Sequence, residues 1–139
     1  MIIDAKNVVL GRLSSFAAKQ LLLGEEIDIV NCEEAVVSGK RAPIVENYIR
    51  IVDRKAPTKG PYLYRNPAFF VKKTIRGMLP FKKPRGQEVY RNIKCHIGVP
   101  EGLRNEKFTE IEKAGAGKLQ KTDYLKVKDI CRQIGYNRG

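Results

Sequence analysis

The sequence has no tryptophan, one histidine (His96), two methionines and three cysteines. Its longest apolar runs are only a few residues, far short of the ~18–20 that cross a bilayer, so no membrane span is expected. The opening Met1-Ile2-Ile3-Asp4-Ala5 lacks a basic start followed by a long apolar stretch, so no signal peptide is expected. Cys32, Cys95 and Cys131 are odd in number and widely spaced, which argues against a disulfide framework and for reduced thiols in the cytoplasm. Cys95 and His96 are neighbours in an expected strand and would point to opposite faces, so no metal site is expected. No cofactor motif stands out either.

Catalytic signatures are as scarce. Ala114-Gly115-Ala116-Gly117-Lys118-Leu119 resembles a phosphate loop only superficially. Glu112 stands where the pattern needs glycine, and Leu119 where it needs serine or threonine. A Gly-x-Ser-x-Gly elbow is absent, as is a Gly-x-Gly-x-x-Gly turn after the first strand. Cys32 is followed by Glu33 and Glu34, a setting expected to raise its pKa, the opposite of what a nucleophile requires. His96 reads as a satisfied histidine of a buried strand rather than a general base. No small-molecule substrate is expected, and an enzyme has no anchor here.

What is abundant is positive charge, and it is concentrated. The 139 residues carry 27 Lys and Arg against 15 Asp and Glu, a formal net charge of +12. Residues 1–53 are net −2, residues 54–94 net +11 and residues 95–139 net +3. The middle block holds one acid, Glu88. Such a block repels itself unless an anion neutralises it. Its aromatics, Tyr62, Tyr64, Phe69, Phe70, Phe81 and Tyr90, alternate with the cations, and five prolines interrupt it. Prolines at that density prevent one long amphipathic helix, which disfavours a membrane surface. Folded or looped RNA fits better, with phosphates taking the charge and unstacked bases the rings. The candidate binding residues are the cations Arg54, Lys55, Lys59, Arg65, Lys72, Lys73, Arg76, Lys82, Lys83 and Arg85, with Tyr62, Tyr64 and Phe69. Phe69 either stacks on a base or packs on Phe81. The plain alternative for the Lys72/Lys73/Arg76 stripe is a solvated helix face.

Length and 42% hydrophobic residues suit one globular domain over 1–139. Ile2–Ala5 reads as a strand. Leu13, Phe16, Ala17 and Leu21 share a helical face stopped at Gly24, and Glu26–Asn31 alternates as a strand does. This β-α-β opening implies parallel strands in one sheet. A further extended piece, Ala35–Val37, precedes a helix from about Pro43 to Asp53, apolar over a wide arc and expected on a sheet. Asn66-Pro67 begins a helix to about Leu79, with Ala68, Val71, Ile75 and Met78 as its docking stripe and Phe69, Lys72, Lys73 and Arg76 as a second. A basic elbow follows, Phe81 to Arg85, then a short helix over 86–93, a strand over 94–98 and a C-terminal helix marked by Val127, Ile130, Cys131 and Ile134. Gly77 and Gly86 read as backbone requirements at helix ends. The fold class is α/β, with a mostly parallel central sheet flanked by helices and a basic helical and loop extension.

With these segments in view the chain resembles the universal large-subunit ribosomal protein L-thirteen family, in its archaeal, eukaryote-like form. The matching stretches are Ile3-Asp4-Ala5 with Leu10-Gly11-Arg12-Leu13-Ser14-Ser15, Val30-Asn31-Cys32-Glu33 and Ser38-Gly39-Lys40. Most specific are Arg65-Asn66-Pro67, Thr74-Ile75-Arg76-Gly77-Met78-Leu79-Pro80 and Arg85-Gly86. The likeness covers about residues 2–100 and thins over 101–139. It implies a structural role in the large subunit of cytoplasmic ribosomes, rRNA binding, neighbouring ribosomal proteins as partners, and participation early in subunit assembly. By position it points to Arg65, Lys72, Lys73, Arg76, Lys82, Lys83 and Arg85. It adds Lys40 and Arg41, at a helix start that favours phosphate. Functions tied to the long C-terminal helix of eukaryotic members do not carry over to a chain this short. Two rivals stay open on the residues alone: a nucleotide- or phosphate-ligand-binding enzyme on a doubly wound fold, and an mRNA-binding regulatory module.

Overall fold

The computed structural model describes residues 1–53, 66–109, 111 and 124–134. The chain opens with strand β1 (Ile2–Asp4), helix α1 (Leu10–Leu22) and strand β2 (Ile27–Val30). β1 and β2 are parallel, Ile3 opposite Ile29, as the opening pattern requires. Leu13, Ala17 and Leu21 of α1 are fully buried, so the i, i+4, i+8 stripe is the face that docks. Gly24, at φ +96°, stops the helix. A short 3-10 turn (Cys32–Glu34) leads into strand β3 (Val36–Ser38) and helix α2 (Arg41–Asp53).

Helix α3 (Pro67–Gly77) and helix α4 (Pro84–Tyr90) follow, and strand β4 (Ile93–Cys95) returns to the sheet. β4 runs parallel to β2, Ile29 opposite Cys95, so the sheet order is β1-β2-β4. Strand β5 (Tyr124–Lys126) pairs antiparallel with β3 in a separate two-stranded sheet, and helix α5 (Val127–Gln133) follows it directly. The fold is mixed α/β. One cluster of buried side chains runs from Ile3 through Leu13, Ile29, Val71, Ile75 and Ile93 to Ile130, so α3 and α5 share a core with the opening β-α-β unit.

Four expectations need correction. Helix α2 packs chiefly on α5, and Tyr48 meets the Phe70 ring of α3 at 5.2 Å. Helices α1 and α3 already hold the places against the strands. The α2 apolar side chains Ile44, Val45 and Tyr48 are therefore only half-buried. The buried stripe of α3 is Pro67, Phe70, Val71 and Ile75. Phe70 buries more area than Ala68 would, so the helix turns that ring inward and leaves Met78 exposed. His96 lies just beyond β4, not inside a buried strand. It is half-buried, with Nε2 at 3.1 Å from Asp28 Oδ1. Gly77 has open space around the position of an added Cβ, so no backbone requirement accounts for it.

Gly86 is the opposite case. A Cβ there would lie 2.1 Å from the Pro80 carbonyl oxygen. Only glycine lets α4 pass so close to the elbow.

Candidate nucleic-acid interface

Helix α3 is started by its own sequence. The Asn66 side-chain oxygen accepts the Ala68 amide at 2.9 Å, and Pro67 occupies the first turn, where its missing N–H costs nothing. With Phe70, Val71 and Ile75 turned inward, helical periodicity carries Phe69, Lys72, Lys73 and Arg76 to the other side. The helix ends at Gly77, and the elbow is closed by amides donating to carbonyls: Phe81 to Leu79 at 2.8 Å and Lys83 to Pro80 at 2.9 Å. Pro84 then starts α4.

The rings of this region bind the protein's own cations. The Arg76 guanidinium lies 3.9 Å from the centre of the Phe81 ring, and Lys72 Nζ lies 4.8 Å from that of Tyr90. Phe81 and Tyr90 meet edge to face, centroids 5.4 Å apart. Lys72, Tyr90, Phe81 and Arg76 thus form a continuous cation–ring stack that joins α3 to the elbow and to α4. Phe81 and Tyr90, neither of them among the candidate binding residues, are half-buried in it. Beside the stack lies an open cleft of about 570 Å³. Among the described residues, Lys73, Arg76, Lys82 and Lys83 line it, with Leu79, Pro80 and Phe81 as its apolar part and no carboxylate.

Other candidates fall elsewhere. Lys82, Lys83 and Arg85 are exposed, but Arg85 also donates to the Leu22 carbonyl at 3.3 Å, which ties α4 to the end of α1. Lys40 and Arg41 are exposed at the start of α2 and line neither the cleft nor the groove described next. Arg54, Lys55, Lys59, Tyr62, Tyr64 and Arg65 lie outside the described residues. Phe69 is 53% exposed and lines a second cavity, a groove of about 490 Å³ shared with Lys72, Lys94, His96, Ile97 and Pro100. The sequence reading missed Lys94, Ile97 and Pro100. Strand alternation opposite buried Ile93 was the signal for Lys94.

Two of the thiols are held far from the thiolate form. All three cysteines are free, and burial pushes Cys131 up to about 12. Cys32 is also held well above the ordinary thiol range. The main causes are a hydrogen bond with Cys95 and burial, with the Glu33 charge only a minor one. The Glu33 carboxylate instead accepts the Gly98 amide at 3.0 Å. Among the described residues no helix is long and apolar enough to cross a membrane.

A family model described as ribosomal protein L13 matches residues 1–102. The chain belongs to this family. It is similar to the large ribosomal subunit protein uL13 of Archaeoglobus fulgidus, with 44% identity over 136 residues, covering 97% of this chain and 87% of that one. It is also similar to that of Methanococcus maripaludis, 46% identical over 107 residues, 74% of this chain and 78% of the other. The counterpart in Sulfolobus acidocaldarius is 37% identical over 140 residues, 97% and 93% of the two chains. The family is one of ribosomal structural proteins, not enzymes, so the enzyme reading is set aside. The first and last of these alignments span nearly the whole chain, so the likeness extends into the tail beyond residue 102.

Proposed function

We propose that this chain is a structural constituent of the large ribosomal subunit, that it binds rRNA through α3, the elbow and α4, and that it takes part early in subunit assembly beside neighbouring ribosomal proteins. Residues 1–139 act as one domain in this reading, with 54–94 turned to rRNA. The observation that carries it is the cleft beside the cation–ring stack, where the described lining residues include four cations and apolar side chains but no acid. Phosphate oxygens are the ligands that match several fixed positive charges at once. Family membership and the large-subunit names of the relatives support the same reading. Lys40, Arg41, Arg54, Lys55, Lys59, Tyr62, Tyr64, Arg65, Phe69, Lys72 and Arg85 extend the proposed surface beyond the cleft.

Binding of the full chain to purified large-subunit rRNA, measured across a salt series, tests it. Replacing Lys73, Lys82 and Lys83 by alanine should lower the log–log salt slope by about 2–3, at roughly 0.7–0.9 per phosphate released. Circular dichroism should show that the fold is kept. A slope that does not change rejects this face as the binding surface.

A further inference from the structure

The groove between the first turns of α3 and the end of β4 has a different character from the cationic cleft. Its wall combines two large apolar side chains that stay in solvent, Phe69 at 53% and Ile97 at 45% exposed, with Pro100 beside them. Lys72 and Lys94 supply positive charge, and among the described residues no carboxylate lines it. The Lys72 ammonium rests over the Tyr90 ring, which holds that side chain in place. His96, tied to Asp28 at 3.1 Å, gives the wall a hydrogen-bonding ring of defined orientation. A volume of about 490 Å³ falls in the ~300–1,000 Å³ range of small-molecule sites.

These properties select among anions. A lone phosphate would satisfy the lysines and leave Phe69, Ile97 and Pro100 wet. An acidic peptide brings single carboxylate charges and covers that wall only where it also carries an aromatic residue. A duplex keeps its bases stacked inside and presents only its backbone. An unpaired nucleotide has both parts, a planar base for the ring and the apolar wall and a phosphate for the lysines. We propose that this groove takes a single unpaired rRNA nucleotide turned out of its stack, base against Phe69 and Ile97 and phosphate on Lys72 and Lys94. The inference rests on the rRNA-binding reading above and adds to it a discrete site, separate from the cleft at the elbow.

Chemical footprinting of purified large-subunit rRNA with the full chain bound tests it, base reactivity and 2′-hydroxyl reactivity being read at each nucleotide. The expected result is one or two unpaired nucleotides whose bases are protected by the parent chain and exposed again by Phe69→Ala, with affinity about tenfold weaker and the rest of the footprint kept. Lys94→Gln, at an exposed position, should weaken the same protection and lower the salt slope by about one phosphate. A photo-crosslinking residue at position 69 should mark that same nucleotide. A footprint that Phe69→Ala and Lys94→Gln leave complete, or a crosslink to a paired nucleotide or to protein, overturns the groove while the rRNA reading stands. Loss of any footprint by the parent chain overturns both.

Discussion

The opening β-α-β unit and the α3–elbow–α4 region put apolar side chains to opposite uses. In the first, Leu13, Ala17, Leu21 and Ile29 are wholly buried, and residues 1–53 are close to neutral at net −2. Shape there follows from burial. In the second, Phe81 and Tyr90 are half-buried and hold Arg76 and Lys72 against their faces. Shape there follows from rings that fix the protein's own cations. Charges held in place before binding lose less freedom when phosphates arrive, so the region can be strongly basic without being shapeless.

Helix α3 belongs to both regimes, and cutting its inner face is the harshest test of the contrast. Ile75 is fully buried in the common cluster. Ile75→Ala should cost about 2–5 kcal/mol in urea unfolding, while the salt slope of the molecules that remain folded stays as it was. A cost under about 1 kcal/mol would mean that the basic region is an appendage and not part of the core.

The next test acts on the elbow. Gly86→Ala drives a Cβ into the Pro80 carbonyl and should cost about 1–3 kcal/mol. The proximity of the Phe81 and Tyr90 rings, read by proton NMR, should be lost with it. Gly77→Ala, where nothing lies within 4 Å, should instead stabilise by about 0.5–1 kcal/mol. Equal outcomes at the two glycines would show that the elbow is not built on that close approach.

The difference between the regions also explains what could be read from the sequence. The β-α-β opening was legible because strand alternation and a 3.6-residue stripe report burial, and burial is what shapes it. The Asn66-Pro67 start of α3 was legible because capping is local chemistry. The inward face of α3 was legible in part: Val71 and Ile75 are buried as read, while Phe70 takes the place given to Ala68 and Met78 and meets Tyr48 from α2, a partner that periodicity along one helix cannot supply. For the same reason the contacts of Phe81 and Tyr90 were not legible. Interleaved rings and cations announce an attraction, but composition does not say whether a ring will meet a base or a neighbouring lysine. The β3–β5 pairing escaped because it joins segments distant in sequence, and the 3-10 turn at Cys32–Glu34 because so short a local turn leaves no periodicity to read.

A smaller effect separates the two uses of a ring. Arg76→Lys keeps the charge and removes the planar group stacked on Phe81. Stability should fall by about 0.5–1 kcal/mol, with the salt slope for rRNA unchanged. If the slope falls as well, the guanidinium contacts phosphate in a way an ammonium does not, and the stack serves binding more than shape.

The smallest effect concerns charge used for folding, away from the basic block. Glu34, in the 3-10 turn after β2, accepts from Lys126 Nζ at 2.6 Å and from Lys128 Nζ at 3.1 Å. The carboxylate thereby fastens β5 and α5 to the body. The hydrogen bond from Lys126 holds Glu34 below the ordinary carboxylate range, and the same bond holds Lys126 above the ordinary lysine range. Side-chain exposures of 21% for Glu34, 30% for Lys126 and 34% for Lys128 leave the cluster partly screened by water, so Glu34→Gln should cost only about 0.5–1 kcal/mol at pH 7. Because the folded carboxylate is the more acidic one, its contribution is complete above the unfolded value, roughly pH 4.3, and fades as pH falls through the lower folded value. The gap in unfolding free energy between parent and variant, read by urea titration, should therefore be steady from pH 6 to 8 at about 0.5–1 kcal/mol, and close toward pH 3. A gap that persists into acid would assign the loss to packing and not to charge, leaving burial as the dominant force on this side of the molecule.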